Sequence, residues 1–130
     1  METPAGRSFE RVVLVVEDEP TVRQYVVRAL ADVGFRVLVA SNGGEALAVL
    51  STLGATVVWL VISDIRMPAM DGLELAAVVT ERWPTVPVLL VSGRPPLAWE
   101  GPFLHKPFTP GQLIDAVEGL LPPASQPHPA

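Results

Sequence analysis

The 130-residue sequence contains no cysteine and only two histidines, His105 and His128. The absence of cysteine excludes disulfides and thiolate chemistry. Two histidines, both late in the chain, are too few for a histidine-based metal site. Aromatic residues make up only 6% of the chain, and the formal net charge is −5. A chain this acidic is not expected to bind nucleic acid by itself.

Long apolar runs are also missing from the sequence. No run approaches the roughly 20 residues that a bilayer crossing needs, and residues 1–10 lack the apolar core of a signal peptide. The sequence therefore predicts a cytoplasmic domain that makes no membrane contact. Its length suits one domain with one core, which we place at residues 10–121. Residues 1–9 are predicted to be a flexible N-terminus and residues 122–130 a disordered, proline-rich tail.

The apolar residues that are present fall into short runs. Runs at 12–16, 57–62 and 86–91 are rich in β-branched residues and too short for helices, which predicts parallel strands buried on both faces. Weaker runs at 35–39 and 103–105 predict edge strands.

Four helical patterns alternate with these strands, each with its apolar residues on one face. Asn42, Asp71 and Thr109 each precede a glutamate or glutamine by three residues, which is typical of helix starts. Strict alternation predicts a parallel sheet with right-handed crossovers. Five strands favour a flavodoxin-like three-layer α/β sandwich with the strand order 2-1-3-4-5.

The link between the fourth and fifth strands departs from this scheme. Residues 93–102 contain two glycines and three prolines and are short for a parallel crossover. We therefore predict that the fourth crossover helix is missing or vestigial, and that Trp99 caps the sheet in its place.

Polar side chains follow the strands at the edge where ligands bind in such sheets. Glu17 and Asp18 follow the first strand, Asp64 ends the third, Ser92 ends the fourth and Lys106 follows the fifth. Crowded carboxylates raise one another's pKa unless a cation joins them. An all-oxygen site suits Mg²⁺, with Mn²⁺ as an alternative. A carboxylate such as Asp64 can attack phosphorus, after which Ser92 could donate a hydrogen bond and Lys106 could pair with the phosphoryl charge.

Four motifs in order give the chain a resemblance to a known family. They are V-L-V-V-E-D-E-P at 13–20, V-I-S-D-I-R-M-P-A-M-D-G at 61–72, V-S-G at 91–93 and H-K-P-F at 105–108. The sequence resembles a stand-alone, CheY-like receiver domain of the response regulators of two-component signalling. The resemblance covers residues from about 11 to 121 and implies the same fold as the one derived above.

The resemblance also implies a role for individual residues. Asp64 matches the phosphoacceptor, while Ser92 and Lys106 match the switch hydroxyl and the lysine that assist phosphorylation. Glu17 and Asp18 match the acidic pair that holds Mg²⁺ together with Asp64, and Asp18 is the expected direct ligand. Three further positions match the family pattern: the backbone carbonyl of Arg66 as a metal ligand, Phe103 as the switch aromatic, and a cis peptide bond between Lys106 and Pro107.

The expected partners are a histidine kinase or histidine phosphotransfer protein and an unknown downstream protein, because no output domain follows residue 121. The resemblance implies a monomer or weak dimer that is not a conventional enzyme. A haloacid-dehalogenase-type phosphatase would need an aspartate where Arg66 stands. A pseudo-receiver that interacts without phosphorylation is the alternative kept open. Arg66 and Arg94 match positions that tune phosphate lifetime in the family, and we expect slow self-dephosphorylation.

Overall fold

The computed structural model describes residues 9–96 and 98–128. Most of the predicted flexible N-terminus, residues 1–8, lies outside the described residues. The described strands form one parallel sheet in the order β2-β1-β3-β4-β5, which confirms the predicted topology. The strands are β1 (Val12–Val16), β2 (Arg36–Ala40), β3 (Val58–Asp64), β4 (Val88–Ser92) and β5 (Phe103–His105). The helices are α1 (Pro20–Asp32), α2 (Gly43–Leu53), α3 (Gly72–Arg82) and α4 (Pro110–Glu118).

The core lies in two layers, one on each face of the sheet. Alternate residues of β1 point to opposite faces, as strand geometry requires. Leu14 and Val16 join a cluster with α2 and α3, here called the α2–α3 cluster. Val13 and Val15 join a second cluster with α1 and α4. Because both faces are covered, every residue of β1 is buried, and the strand is a continuous apolar run rather than an alternating one.

The predicted helix starts are confirmed, with one difference in detail. Asp71 and Thr109 each form a capping box with the residue three positions later. Asn42 Oδ1 accepts a hydrogen bond from the Glu45 backbone N–H at 2.8 Å, but Glu45 Oε1 accepts from the Ser41 N–H at 2.7 Å. These bonds satisfy backbone donors that the first turn of a helix leaves unpaired. Within the described ranges, no helix is both long and apolar enough to cross a membrane.

The link between β4 and β5 contains no helix among its described residues, which are all of 93–102 except Leu97. Trp99 is half-buried against the α2–α3 cluster. Its Nε1–H donates to the Pro102 carbonyl at 2.8 Å. A Cβ atom at position 101 would overlap the indole ring, so Gly101 is needed for this close approach. Trp99 therefore packs against the α2–α3 cluster from within the link, and its capping of the sheet stays a prediction.

Residues from both ends of the described chain meet at the edge of the sheet where β1 and β3 begin. The Phe9 N–H donates to the Ala124 carbonyl at 2.6 Å. Arg11 donates to both carboxylate oxygens of Glu118, at 2.6 and 3.1 Å. The His128 ring lies 4.6 Å from the Trp59 ring, centroid to centroid. These contacts describe the tail as far as residue 128, and its predicted disorder stays a prediction.

Candidate functional site

The ends of β1 and β3 bring three carboxylates together. The two strands are parallel neighbours, with Val16 paired to Ser63, so the residues that follow these positions emerge side by side. One carboxylate oxygen from each of Glu17, Asp18 and Asp64 lies within 4.8 Å of the others. Glu17 and Asp64 are buried, while Asp18 is exposed. The predicted acidic cluster is therefore assembled by the fold.

Lys106 joins this cluster from the end of β5. Its Nζ lies 3.4 Å from Glu17 Oε1 and 3.3 Å from Asp64 Oδ1. The backbone N–H of Lys106 donates to the Ser92 carbonyl at 2.8 Å, which ties the lysine to the end of β4. The lysine thus partly neutralises two buried carboxylates that would otherwise repel each other. The Lys106–Pro107 peptide bond is cis, as the resemblance implies.

Burial raises the pKa of Glu17 above its ordinary value, and the charge of Asp64 raises it further. The Glu19 backbone N–H, which donates to Glu17 Oε2 at 3.2 Å, and the nearby Lys106 ammonium lower the pKa but do not cancel the increase. A raised carboxyl pKa means that the ionised form lacks enough compensating positive charge. Binding of a proton or a cation at Glu17 would therefore stabilise the cluster.

The loop after β3 holds Asp64 in place through backbone contacts. The Ile65 N–H donates to the Val91 carbonyl at 3.1 Å, and the Gly72 N–H donates to the Ile65 carbonyl at 2.8 Å. A Cβ atom on Gly72 would lie only 2.8 Å from Ile65 Cα and 3.0 Å from the carbonyl carbon of Asp64. Only glycine permits this approach, so α3 starts directly against the backbone of Asp64.

A shallow cavity of about 330 Å³ opens beside Asp64. It is lined by Asp64, Arg66, Ser92, Gly93, Arg94 and Lys106. The Ser92 hydroxyl oxygen accepts a hydrogen bond from the Arg94 backbone N–H at 3.2 Å. One carboxylate thus faces three cationic residues and a hydroxyl, which is a suitable environment for a group that carries more negative charge than the carboxylate alone.

Phe103 does not line this cavity. It is half-buried in β5 and packs against the α2–α3 cluster. Its ring meets the His105 ring edge-on at 6.4 Å. The structure therefore places Phe103 apart from the other predicted site residues, and its switching role stays a prediction.

Two residues that support the site were missed in the sequence. Arg23 donates to the Glu17 backbone carbonyl at 2.8 Å and fixes the start of the acidic segment. The Tyr25 hydroxyl donates to the Phe108 carbonyl at 2.8 Å, although the tyrosine is 42% exposed. Both lie on α1 outside its apolar face, and the helical period alone carries no signal for such long-range contacts.

The donor set fits a small hard cation. Among the described residues, the cluster offers carboxylate oxygens and no nitrogen or sulfur ligand. Oxygen-only sets favour Mg²⁺ or Mn²⁺ over zinc or copper. The raised pKa of Glu17 points the same way, because a cation would relieve the repulsion that burial intensifies. Coordination by the Arg66 carbonyl stays a prediction.

Comparison with known proteins gives a family match, and the chain spans less than half the length of the first curated relatives that it matches. A family model described as the response regulator receiver domain matches residues 13–99. The chain is 36% identical over 129 residues to the sensor kinase CckA of Brucella abortus, covering 93% of this chain but only 14% of the kinase. It is 31% identical over 117 residues to the response regulator receiver protein CpdR of the same organism, covering 84% of this chain and 95% of that protein.

Solved structures give the same picture. The chemotaxis protein CheY4 of Vibrio cholerae superposes with a TM-score of 0.79 at 29% identity, covering 86% of this chain and 99% of that one. The response regulator TrrA of Thermotoga maritima, solved in complex with Mg²⁺-BeF, has a TM-score of 0.77 at 30% identity, covering 85% of this chain and 99% of that one. These likenesses extend over most of the described fold.

Proposed function

The chain belongs to the response regulator receiver domain family, and on that premise we propose that Asp64 accepts a phosphoryl group from a histidine kinase or histidine phosphotransfer protein. The observation that carries the proposal is the geometry around Asp64. Its buried carboxylate lies beside two further acids and 3.3 Å from the Lys106 ammonium, at the mouth of a cavity rimmed by cations. Of the carboxylates in the described acidic cluster, only Asp64 also lines that cavity.

The transfer involves one bond formed and one broken. A carboxylate oxygen of Asp64 attacks the phosphorus of a phosphohistidine, the new P–O bond forms, and the P–N bond breaks with its electron pair left on the imidazole nitrogen. With acetyl phosphate as the donor, a P–O bond breaks and acetate leaves. Neither route oxidises or reduces any atom.

The surrounding side chains stabilise the charge that the phosphoryl group brings. Lys106 stays close to Asp64 and can follow a phosphoryl oxygen with its flexible ammonium. The Ser92 hydroxyl can donate to a second oxygen while it still accepts from a backbone N–H, since a hydroxyl does both. The residues that would hold a divalent cation are Glu17, Asp18, Asp64 and the backbone carbonyl of Arg66. A bound Mg²⁺ or Mn²⁺ would supply neutralisation of negative charge during the transfer.

The donor protein needs a surface beside the site, and an apolar groove supplies one. The groove is lined by Thr21, Val22, Tyr25, Lys106, Pro107 and Phe108. It reaches Lys106, which contacts Asp64, so a protein seated there would cover the phosphoacceptor. The proposed module is a cytoplasmic phosphoprotein, a monomer or weak dimer that passes its signal to a downstream protein and is not a conventional enzyme.

Phosphate uptake tests the proposal directly. The full chain is incubated with Mg²⁺ and acetyl phosphate, and the intact mass is measured for wild type, Asp64→Asn and Asp115→Asn. Asp115 is an exposed aspartate on α4, away from the acidic cluster, and serves as the matched control. We expect the mass of one phosphoryl group on wild type and Asp115→Asn but not on Asp64→Asn, and no uptake when Mg²⁺ is chelated.

The other outcomes identify the alternatives. No mass gain on wild type, with no binding of beryllofluoride, would contradict phosphorylation and support the pseudo-receiver, which interacts without phosphate. Equal gain on Asp64→Asn would show that a different residue is the acceptor. A long half-life of the phosphorylated form is expected from the two arginines at the cavity, and rapid decay would contradict it.

A further inference from the structure

Arg23, near the start of α1, binds the acidic segment Glu17-Asp18-Glu19 at two points. Its side-chain Nη1 donates to the Glu17 backbone carbonyl at 2.8 Å. Its backbone N–H donates to the Glu19 carbonyl at 2.9 Å. We propose that Arg23 is a positioning residue for a divalent cation, because it sets the direction in which the Asp18 side chain leaves the chain; the inference rests on the proposed function.

The position of Asp18 depends on the backbone of its neighbours. Its side chain is exposed, whereas Glu17 and Asp64 are buried. The Asp18 carboxylate makes no hydrogen bond or ion pair with any residue that the structure describes. One of its oxygens nevertheless lies within 4.8 Å of a carboxylate oxygen of both Glu17 and Asp64. The two peptide groups that flank Asp18 therefore decide whether its carboxylate faces the cluster.

Both of these peptide groups are fixed by hydrogen bonds. The peptide group after Asp18 contains the Glu19 N–H, which donates to Glu17 Oε2 at 3.2 Å. The peptide group before Asp18 contains the Glu17 carbonyl, which accepts from the Arg23 guanidinium. A hydrogen bond from a charged donor is roughly twice as strong as one between neutral groups. Removal of the guanidinium would free the peptide group that leads into Asp18.

The charge of Arg23 and its positioning role predict opposite effects on cation binding. A positive charge near the acidic cluster repels a divalent cation, so its removal alone would tighten binding. Loss of positioning would weaken binding, because the cation would have to order a ligand that the fold no longer holds. Removal of a partner that orients a metal ligand typically changes metal affinity roughly 10–100-fold. The sign of the change in affinity therefore separates the two roles.

Binding of Mn²⁺ tests the inference without any phosphoryl transfer. Free Mn²⁺ gives a sharp EPR signal that the bound ion does not, so a titration of the full chain yields the dissociation constant. Wild type is compared with Arg23→Met, which keeps a long side chain but has no donor, and with Arg23→Lys, which returns a charged donor. Asp18→Asn shows whether the titrated site is the acidic cluster.

Arg28→Ala is the matched control. Arg28 lies on the same helix, but its side chain is 84% exposed and pairs with Asp32 of that helix rather than with the acidic segment. Thermal unfolding curves show which variants are folded at the temperature of the titration. Should Arg23→Met be unfolded, the folded Arg23→Gln, whose amide side chain is shorter and uncharged, must show the same effect.

We expect the dissociation constant for Mn²⁺ to rise about tenfold in Arg23→Met, less in Arg23→Lys, and not at all in Arg28→Ala. Asp18→Asn should also bind Mn²⁺ more weakly. In Arg23→Met, phosphate uptake from acetyl phosphate should be slow at low Mg²⁺ concentration and should reach the wild-type rate at saturating Mg²⁺. A residue that acts on the fold alone would not produce this dependence on the cation.

The possible results distinguish this inference from the proposed function. An unchanged or lower dissociation constant in Arg23→Met, an equal rise in Arg28→Ala, or wild-type affinity in Asp18→Asn overturns the inference. The proposed function then stands if wild type still takes up phosphate on Asp64. A wild-type protein that binds Mn²⁺ through Arg23 but takes up no phosphate overturns the proposed function and leaves the positioning of the cation intact.

Discussion

Replacing Gly72 with alanine tests how tightly the loop after β3 holds Asp64. The new Cβ would lie 2.8 Å from Ile65 Cα and 3.0 Å from the carbonyl carbon of Asp64, and closer still to the Asp64 carbonyl oxygen. These are backbone atoms, and Ile65 is held to β4 through its N–H and to α3 through its carbonyl, so they cannot rotate away as a flexible side chain would. The alanine can be accommodated only if α3 or the backbone of Asp64 shifts.

The expected cost follows from two opposing effects. Forcing an extra methyl group into a packed site costs about 1–3 kcal/mol, and a rigid neighbour places this case near the upper end. Alanine recovers up to about 1 kcal/mol over glycine in a helix, although less at its first residue. The net loss of unfolding free energy should be about 2 kcal/mol, which lowers the melting temperature by roughly 6–10 °C in a domain of this size.

Gly111→Ala is the matched control, because Gly111 lies in the first turn of α4 as Gly72 lies in that of α3. A Cβ atom there would have Thr109 Oγ1 as its nearest neighbour at 3.9 Å, an ordinary contact. We expect Gly111→Ala to gain about 0.5 kcal/mol. Calorimetry measures the stability of both variants, and the rate of acetyl phosphate uptake reports the position of Asp64. A Gly72→Ala protein that has the melting temperature of wild type and takes up phosphate at the same rate would refute the reasoning.

Three further perturbations test other parts of the structure. The Arg11 hydrogen bond lowers the pKa of Glu118 below its ordinary 4.5, so this pair stabilises the fold above that pH and the contribution is lost as the pH falls through the lowered pKa. At neutral pH, Glu118→Gln should therefore have a free energy of unfolding about 0.5 kcal/mol below that of wild type, a small loss because the carboxylate is 44% exposed. At acid pH, the variant and wild type should melt at the same temperature. Lys106→Met leaves two buried carboxylates without their shared cation. If the lysine stabilises the transition state of phosphoryl transfer by about 1.4 kcal/mol, its loss slows phosphate uptake about tenfold, which timed mass spectra would measure. Removal of residues 122–130 should red-shift the fluorescence of Trp59, whereas unchanged emission would support the predicted disorder of this tail.

Much of the fold could be predicted from the sequence, because the apolar runs and the helical faces are local patterns. The strands at 12–16 and 103–105 have the predicted bounds. The central runs at 57–62 and 86–91 were placed one or two residues early, since the polar Ser63, Asp64 and Ser92 still belong to strands. Polar residues end an apolar pattern, but they do not end the hydrogen bonding between strand backbones. The sequence pattern therefore does not predict the strand ends that carry the site residues.

The site was predictable as a set of residues but not as a geometry. Parallel strands in the order 2-1-3-4-5 bring Glu17 and Asp64 to one edge of the sheet. This proximity can be predicted from the sequence, because the strand order can be predicted from it. The burial of Glu17 beside the exposed Asp18 depends on how the chain turns after β1, and no local pattern encodes it. The glycines and prolines of the link predicted that the fourth crossover helix is missing or vestigial. The hydrogen bond from the Arg94 backbone N–H to the Ser92 hydroxyl could not be predicted from the sequence, because it depends on one backbone orientation.

The meeting of Phe9 with Ala124 has a consequence for how the chain can be rebuilt. A 2.6 Å hydrogen bond joins these two residues, so a few added residues could connect position 124 to position 9. Circular permutants with new ends in an exposed loop are then accessible. A permutant opened within the link between β4 and β5 would keep the acidic cluster, because its three carboxylates follow or end β1 and β3. Phosphate uptake by such a molecule would show that the site does not depend on an unbroken link between these two strands.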